Sequence, residues 1–182
     1  EELIRLGITN PAQAKLIRGS GVDIDYFSNR SVSRDSFHDP IKLLFPSRII
    51  VEKGFNELLK AHTSLVNKDI KIELLISGEI DNGNRSSITP QVIEQLNINK
   101  NIRFLGHVKN MKKLLEDVDI VVLPSWREGL SRALIEAAAM EKPILTTDVP
   151  GCRDIIEHGY SGILVPPKDP HAIELAILFL IR

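Results

Sequence analysis

Only one cysteine, Cys152, occurs in the chain, so no internal disulfide can form and a reducing compartment is the natural setting. An excess of charge of either sign is also missing. Lys and Arg total 23 against 24 Asp and Glu, a net charge of -1. That excludes the strongly basic domain expected of a nucleic-acid binder, while leaving room for a local cationic pocket. No run of apolar residues is long enough to cross a bilayer; the longest, Ala172 to Ile181, falls far short. Neither a phosphate-binding P-loop nor a nucleophile elbow is present, and the five histidines lack zinc spacing. The GSG at Gly19 to Gly21 lacks the rest of the dinucleotide fingerprint and runs into VD rather than a helix. Cys152, with no histidine nearby in sequence, reads as a packed thiol rather than a nucleophile.

What is present is an alternation. Short apolar runs, KLLFPSRI (Lys42 to Ile49), KIELLISG (Lys71 to Gly78), IRFLG (Ile102 to Gly106), IVVLPS (Ile120 to Ser125), PILTT (Pro143 to Thr147) and GILVP (Gly162 to Pro166), read as strands. Helical patterns lie between and after them: FNELLKAHTSLV, QVIEQL, MKKLLEDV, SRALIEAAAM, CRDIIEHG and HAIELAILFLI. Nearly continuous apolar strands separated by helices predict an α/β domain, a doubly wound parallel sheet of about six strands covered on both faces. Upstream, AKLIRGSGVDIDYF (Ala14 to Phe27) predicts one more strand and a turn. SNRSVSRDSFHDP (Ser28 to Pro40) and NGNRSS (Asn82 to Ser87) read as loops. The 182 residues make one domain, and a chain that opens on EELIRLGI without a methionine leads us to expect a fragment of a longer protein.

Ligands of open parallel sheets bind beyond the carboxyl ends of the strands. The residues there are Arg48 and Glu52-Lys53-Gly54, Ser77-Gly78-Glu79, Gly106-His107-Val108, Ser125 to Gly129, Thr147-Asp148, and Val165-Pro166. An arginine fork and a lysine ammonium on one edge suit a diphosphate without a metal. In EGLSRALIE, Gly129 permits a tight turn and Ser131 is placed to cap the next helix, whose first N–H groups attract anions. Ionised Glu128 and Glu136 accept hydrogen bonds only, which suits vicinal sugar hydroxyls. Their spacing alone does not choose between ligand acceptors and acids bonded to neighbouring protein groups. The acidic pairs Asp23–Asp25 and Asp117–Asp119 do not read as a metal site, because the second precedes its strand.

Together these motifs acquire a specific resemblance. PSWREGLSRALIEAAAMEKPILTTDVPGCRDIIEHGYSGILVPPKDP closely resembles the donor-binding core of family 4 glycosyltransferases, which have the GT-B fold. GSGVDIDYF, RIIVEKGFNELLKA and IRFLGHVKNM resemble further motifs of that family, in the same order. The resemblance implies that residues 1–182 form the C-terminal, Rossmann-like, nucleotide-sugar donor-binding domain of a two-domain enzyme whose N-terminal acceptor domain is absent. It implies a retaining, metal-independent transfer from a nucleotide-diphosphate sugar, UDP-linked, to a glycan or lipid-linked acceptor in polysaccharide biosynthesis, with no cofactor. By position, Glu128 meets the donor sugar and is the catalytic-centre residue. Arg48 and Lys53 meet the diphosphate; Gly129, Leu130 and Ser131 offer N–H groups; Glu136 takes the ribose hydroxyls; His107 and Val108 line the base pocket.

A cytoplasmic location, with the parent protein docking peripherally to the membrane through its other domain, is implied as well, and the isolated chain is expected to be inactive. The alternatives are a nucleotide-sugar 2-epimerase and a non-catalytic nucleotide-sugar-binding module. Two departures from the family pattern stand out: Ser47-Arg48 where Gly-Arg is common, and Ser77-Gly78-Glu79 where Gly-x-Gly is common.

Overall fold

A computed structural model describes residues 2–15, 19, 21–28, 36–81, 83, 86–89, 92, 94, 96 and 99–182. Six parallel strands form one sheet: β1 (Ile41–Pro46), β2 (Ile72–Ser77), β3 (Ile102–Gly106), β4 (Ile120–Leu123), β5 (Ile144–Thr147) and β6 (Ile163–Val165). Their spatial order is β3-β2-β1-β4-β5-β6, and every neighbouring pair is parallel. All six strands expected from the sequence are there, and the differences are of a residue or a few at their ends. The cause of this architecture is visible in burial. Every residue of β4 and of β5 is buried, so those strands must be covered on both faces.

Helices provide that cover. After the one-turn α1 (Glu2–Arg5) come α2 (Phe55–Asn67), α3 (Met111–Glu116), α4 (Arg132–Ala139) and α5 (Pro170–Leu180). Asn110 caps α3 by accepting from the Lys113 N–H at 3.0 Å, and Asp169 caps α5 by accepting from the Ala172 N–H at 2.9 Å. Helix α2 turns Phe55, Leu58, Ala61, His62 and Leu65 inward and packs on α5, where Lys68 pairs with Glu174.

Of the strand and turn expected in Ala14 to Phe27, the turn is there at Ile24–Tyr26, held by the Asp23 carboxylate accepting from the Asp25 and Tyr26 N–H groups at 3.0 Å each; residues 16–18 and 20 of the stretch lie outside the described residues, and the rest of it contains no strand. One expectation fails. CRDIIEHG is a hydrogen-bonded turn rather than a helix. It is bracketed by Gly151 at φ 84° and Gly159 at φ 80°, a left-handed backbone through which a right-handed helix does not continue. Of QVIEQL, Val92, Glu94 and Leu96 are helical; Gln91, Ile93 and Gln95 lie outside the described residues, as do 29–35 and 82, 84 and 85 of the two predicted loops.

The order of the strands reverses between β1 and β4, opening a crevice where their outgoing loops part. The far edge of the same two strands is pinned by Asp119, which accepts from the Lys42 N–H at 2.7 Å and bonds the His38 ring at 2.8 Å. This acid is structural, as its position ahead of β4 suggested.

His62 gives the fold a pH dependence. It is wholly buried, and neither ring nitrogen finds a hydrogen bond of ordinary geometry among the described residues. Burial lowers its pKa from 6.5 to about 4, with the Asn101 backbone pulling weakly the other way. The unfolded chain therefore takes up this proton below about pH 6.5, whereas the folded chain resists it down to about pH 4. Urea denaturation should show about 3 kcal/mol of stability lost across that window, and His62→Leu should flatten the profile.

Candidate functional site

At the carboxyl edge, the loops leaving β1, β2 and β3 enclose a cleft of about 470 Å³. Ser47 and Arg48 line it from β1, Ser77 to Asp81 from β2, and Gly106, His107 and Val108 from β3. Gly78 has a steric role: a Cβ there would overlap the Ser47 carbonyl, so the β1 and β2 loops touch backbone to backbone. The cleft carries both signs of charge. Arg48 Nη1 donates to Asp81 Oδ2 at 2.5 Å, with Glu79 in the same lining. Glu79 was the acid noted in sequence; Asp81, two residues beyond, is the one that engages the arginine.

The β1–β4 crevice holds a largely buried ion pair. Lys53, from the 3-10 turn Val51–Lys53, donates to Glu128 Oε1 at 2.5 Å, and Ser125 Oγ donates to the same oxygen at 2.9 Å. The Lys53 and Glu128 side chains keep only 18% and 10% of their exposure. Beneath them, Thr147 Oγ1 donates to the Ser125 carbonyl. Close backbone packing brings the parts together. Gly54, at φ 72°, has no room for a Cβ against the Pro124 carbonyl, and the same is true of Gly151 against the Gly129 carbonyl. Cys152 lies in this layer, fully buried, and burial pushes its thiol pKa up, so it is the packed thiol the sequence suggested.

Helix α4 begins beside Glu128. Ser131 occupies its N-cap position at φ -72°, ψ 110°, yet its side chain caps nothing, contrary to expectation. The donors of the first turn are thus not taken by that hydroxyl. Glu136 is buried one turn further along, and Arg132 Nε donates to its Oε1 at 2.9 Å. Leu130 packs under Gly19, joining the GSG segment to this loop.

The nine residues singled out from sequence therefore share one edge of the sheet without sharing one cavity. Arg48, His107 and Val108 line the cleft; Lys53 and Glu128 pair in the crevice; Gly129, Leu130 and Ser131 form the loop entering α4; Glu136 sits inside α4. Sequence reasoning missed Asp81, Arg132, Met111 in the cleft lining, and Ser125 as a Glu128 partner. A serine three residues before an acid at a strand end was the available signal for Ser125. Among the described residues no group of three His, Cys, Asp or Glu side chains is arranged to hold a metal, and no helix is long and apolar enough to cross a membrane.

Comparison with known proteins places this geometry. The family model described as glycosyl transferases group 1 matches residues 28–182. The chain is 31% identical over 145 residues to the capsular polysaccharide biosynthesis glycosyltransferase CapM of Staphylococcus aureus, covering 80% of this chain and 38% of that protein. Among solved structures it resembles Anabaena HepE in complex with UDP and glucose, at a TM-score of 0.74 and 21% identity, covering 89% of this chain and 46% of that one. It also resembles the C-terminal domain of the group 1 glycosyl transferase LpcC from Francisella tularensis, at a TM-score of 0.70 and 24% identity, over 88% of both chains. These likenesses establish the fold as the Rossmann-like domain of GT-B glycosyltransferases. The chain spans a third to a half of the length of the first curated relatives it matches.

The two ion pairs should differ sharply in weight. Lys53→Met strands a largely buried carboxylate and should cost about 2–4 kcal/mol in urea denaturation, much of it recovered in the Lys53→Met/Glu128→Gln double variant. Arg48→Ala, from an exposed pair, should cost less than about 1 kcal/mol.

Proposed function

The chain belongs to the group 1 glycosyl transferases, and from that premise we propose that it is the C-terminal, donor-binding half of a family 4 enzyme. The parent protein transfers a sugar, with retention, from a UDP-sugar to a glycan or lipid-linked acceptor in polysaccharide biosynthesis on the cytoplasmic side of the membrane. The observation that carries this reading is the Lys53–Glu128–Ser125 group at the strand-order reversal, next to a cleft entered by Arg48. HepE, solved with UDP and glucose, has the same fold and supports the choice of nucleotide.

In this reading the uracil lies against His107 and Val108, where backbone groups read its edge. Glu136 exchanges Arg132 for the ribose hydroxyls. Arg48 leaves Asp81, and with Lys53 and the N–H groups of Gly129, Leu130 and Ser131 it surrounds the diphosphate. The leaving diphosphate gains negative charge as the glycosidic bond breaks. Fixed cations and helix-start donors stabilise that charge most in the transition state, so the protein itself supplies the positive charge. Glu128, held by Lys53 and Ser125, grips the donor sugar's hydroxyls. Transfer also needs a second domain to close over the sugar, exclude water and present the acceptor, so the 182-residue chain binds donor without turning it over.

Calorimetry decides the matter. UDP should bind in the micromolar to millimolar range, with no change on adding EDTA. Glu136→Gln should weaken UDP about tenfold, while Glu128→Gln leaves UDP affinity nearly unchanged. Absence of heat at millimolar UDP would overturn the reading in favour of a scaffold that has lost its ligand.

A further inference from the structure

A second cleft opens on the same edge, formed by Glu52 from the loop after β1, Trp126 and Arg127 from the loop after β4, and Pro167 and Lys168 from the loop after β6. Its volume is about 600 Å³, and it contains none of the donor-site residues named above. Four features distinguish it from ordinary surface. Lys168 Nζ lies over the Trp126 ring, 4.2 Å from its centroid. Neither Arg127 nor Lys168 has a hydrogen bond or ion pair among the described residues, whereas Arg48 and Lys53 are both neutralised by acids. Glu52 Oε2 and Trp126 Nε1 are shielded from solvent and without hydrogen-bond partners among the described residues, a costly condition that an occupant can relieve. Lys168 also has a left-handed backbone, φ 63°. The other two non-glycine residues with positive φ among the described residues, Asp69 and Glu141, follow helix ends, where that conformation is usual; Lys168 does not.

We propose that this cleft binds a phosphorylated saccharide. An arginine fork and a lysine ammonium suit the phosphate. The indole offers an apolar face to the sugar ring once the phosphate draws Lys168 away from it, and Glu52 accepts from a hydroxyl. Glu52 Oε1 is already held by Ser86 Oγ at 2.7 Å, and that bond keeps its carboxyl below the ordinary carboxylate pKa, so Glu52 is ionised when the sugar arrives. The backbone N–H of Trp126 donates to the Glu52 backbone carbonyl at 2.8 Å, fastening the β4 loop to the β1 loop beside the crevice. Trp126 stands two residues before Glu128 in one loop.

Trp126 is the only tryptophan of the chain, so its fluorescence reports on this cleft alone. Glucose 1-phosphate, titrated with and without saturating UDP, should change that emission saturably at millimolar concentration. Arg127→Met and Lys168→Met should each weaken the response about tenfold, and Lys168→Arg should restore most of it. Circular dichroism and UDP affinity should stay at wild-type values in all three variants, and Arg48→Ala should leave the response intact. A wild-type chain without a saturable response, or a response that survives both methionine variants, overturns the proposal. Equal affinity for inorganic phosphate overturns the saccharide assignment. Because the titration is read without nucleotide as well, its failure is distinguishable from a failure to bind UDP.

Discussion

Lys53 and Glu128 meet across the one gap that the sheet's topology leaves open. Strands β1 and β4 are neighbours in space and far apart in sequence, and their outgoing loops diverge in opposite directions. A lysine ammonium from one loop and a carboxylate from the other, both largely out of water, bind the two halves of the sheet at that divergence. Such a pair contributes little net stability, because desolvating two charges offsets most of their attraction. What it supplies is placement. With Ser125 donating to the same oxygen, the carboxylate is fixed by two donors.

Everything beneath that pair is packed to hold it. The β1–α2 loop presses on the end of β4 at Gly54, and the loop after β5 presses on the Glu128–Gly129 backbone at Gly151. Any side chain at either glycine would push the loops apart by the width of a methyl group. Thr147 and buried Cys152 fill the layer below, which makes the thiol a structural filler rather than a reagent. The acid at the opposite edge, Asp119, does equivalent work on the incoming ends of the same strands. Strands β1 and β4 are thus fixed at both ends, and the crevice between their loops has a defined width.

The part of the edge that carries Arg48, Lys53 and Glu136 is electrostatically quiet: Arg48 is matched by Asp81, Lys53 by Glu128, and Glu136 by Arg132. Pairing keeps the buried charges hydrogen-bonded, which avoids the cost of an orphaned charge. The cleft at Trp126 is arranged differently: neither of its cations forms an ion pair among the described residues, although Glu52 in the same lining feels the charge of Arg127. That contrast between neutralised and open cations divides one continuous edge into two regions of different chemistry.

The fold was largely legible in the linear chain. Period and apolar continuity place six strands, because a strand buried on both faces must be apolar throughout and a covering helix must be apolar on one side only. CRDIIEHG misled because its pattern is helical while its flanking glycines, both at positive φ, bend the chain too soon. The turn expected within Ala14 to Phe27 is held by the Asp23 carboxylate, a local bond that no alternation of apolar residues reveals. That the residues singled out share the carboxyl edge of the sheet was legible as well, since they follow strand ends. Their partners were not: Asp81, Ser125 and Arg132 are chosen by side-chain reach and rotamer, not by spacing. By itself, then, the sequence determined which segments are buried and which chemistry stands at the strand ends, because both depend on local composition. Only the tertiary structure decided which acid neutralises which cation and which cations stay open, because those pairings span loops that adjoin solely through the order of strands in the sheet.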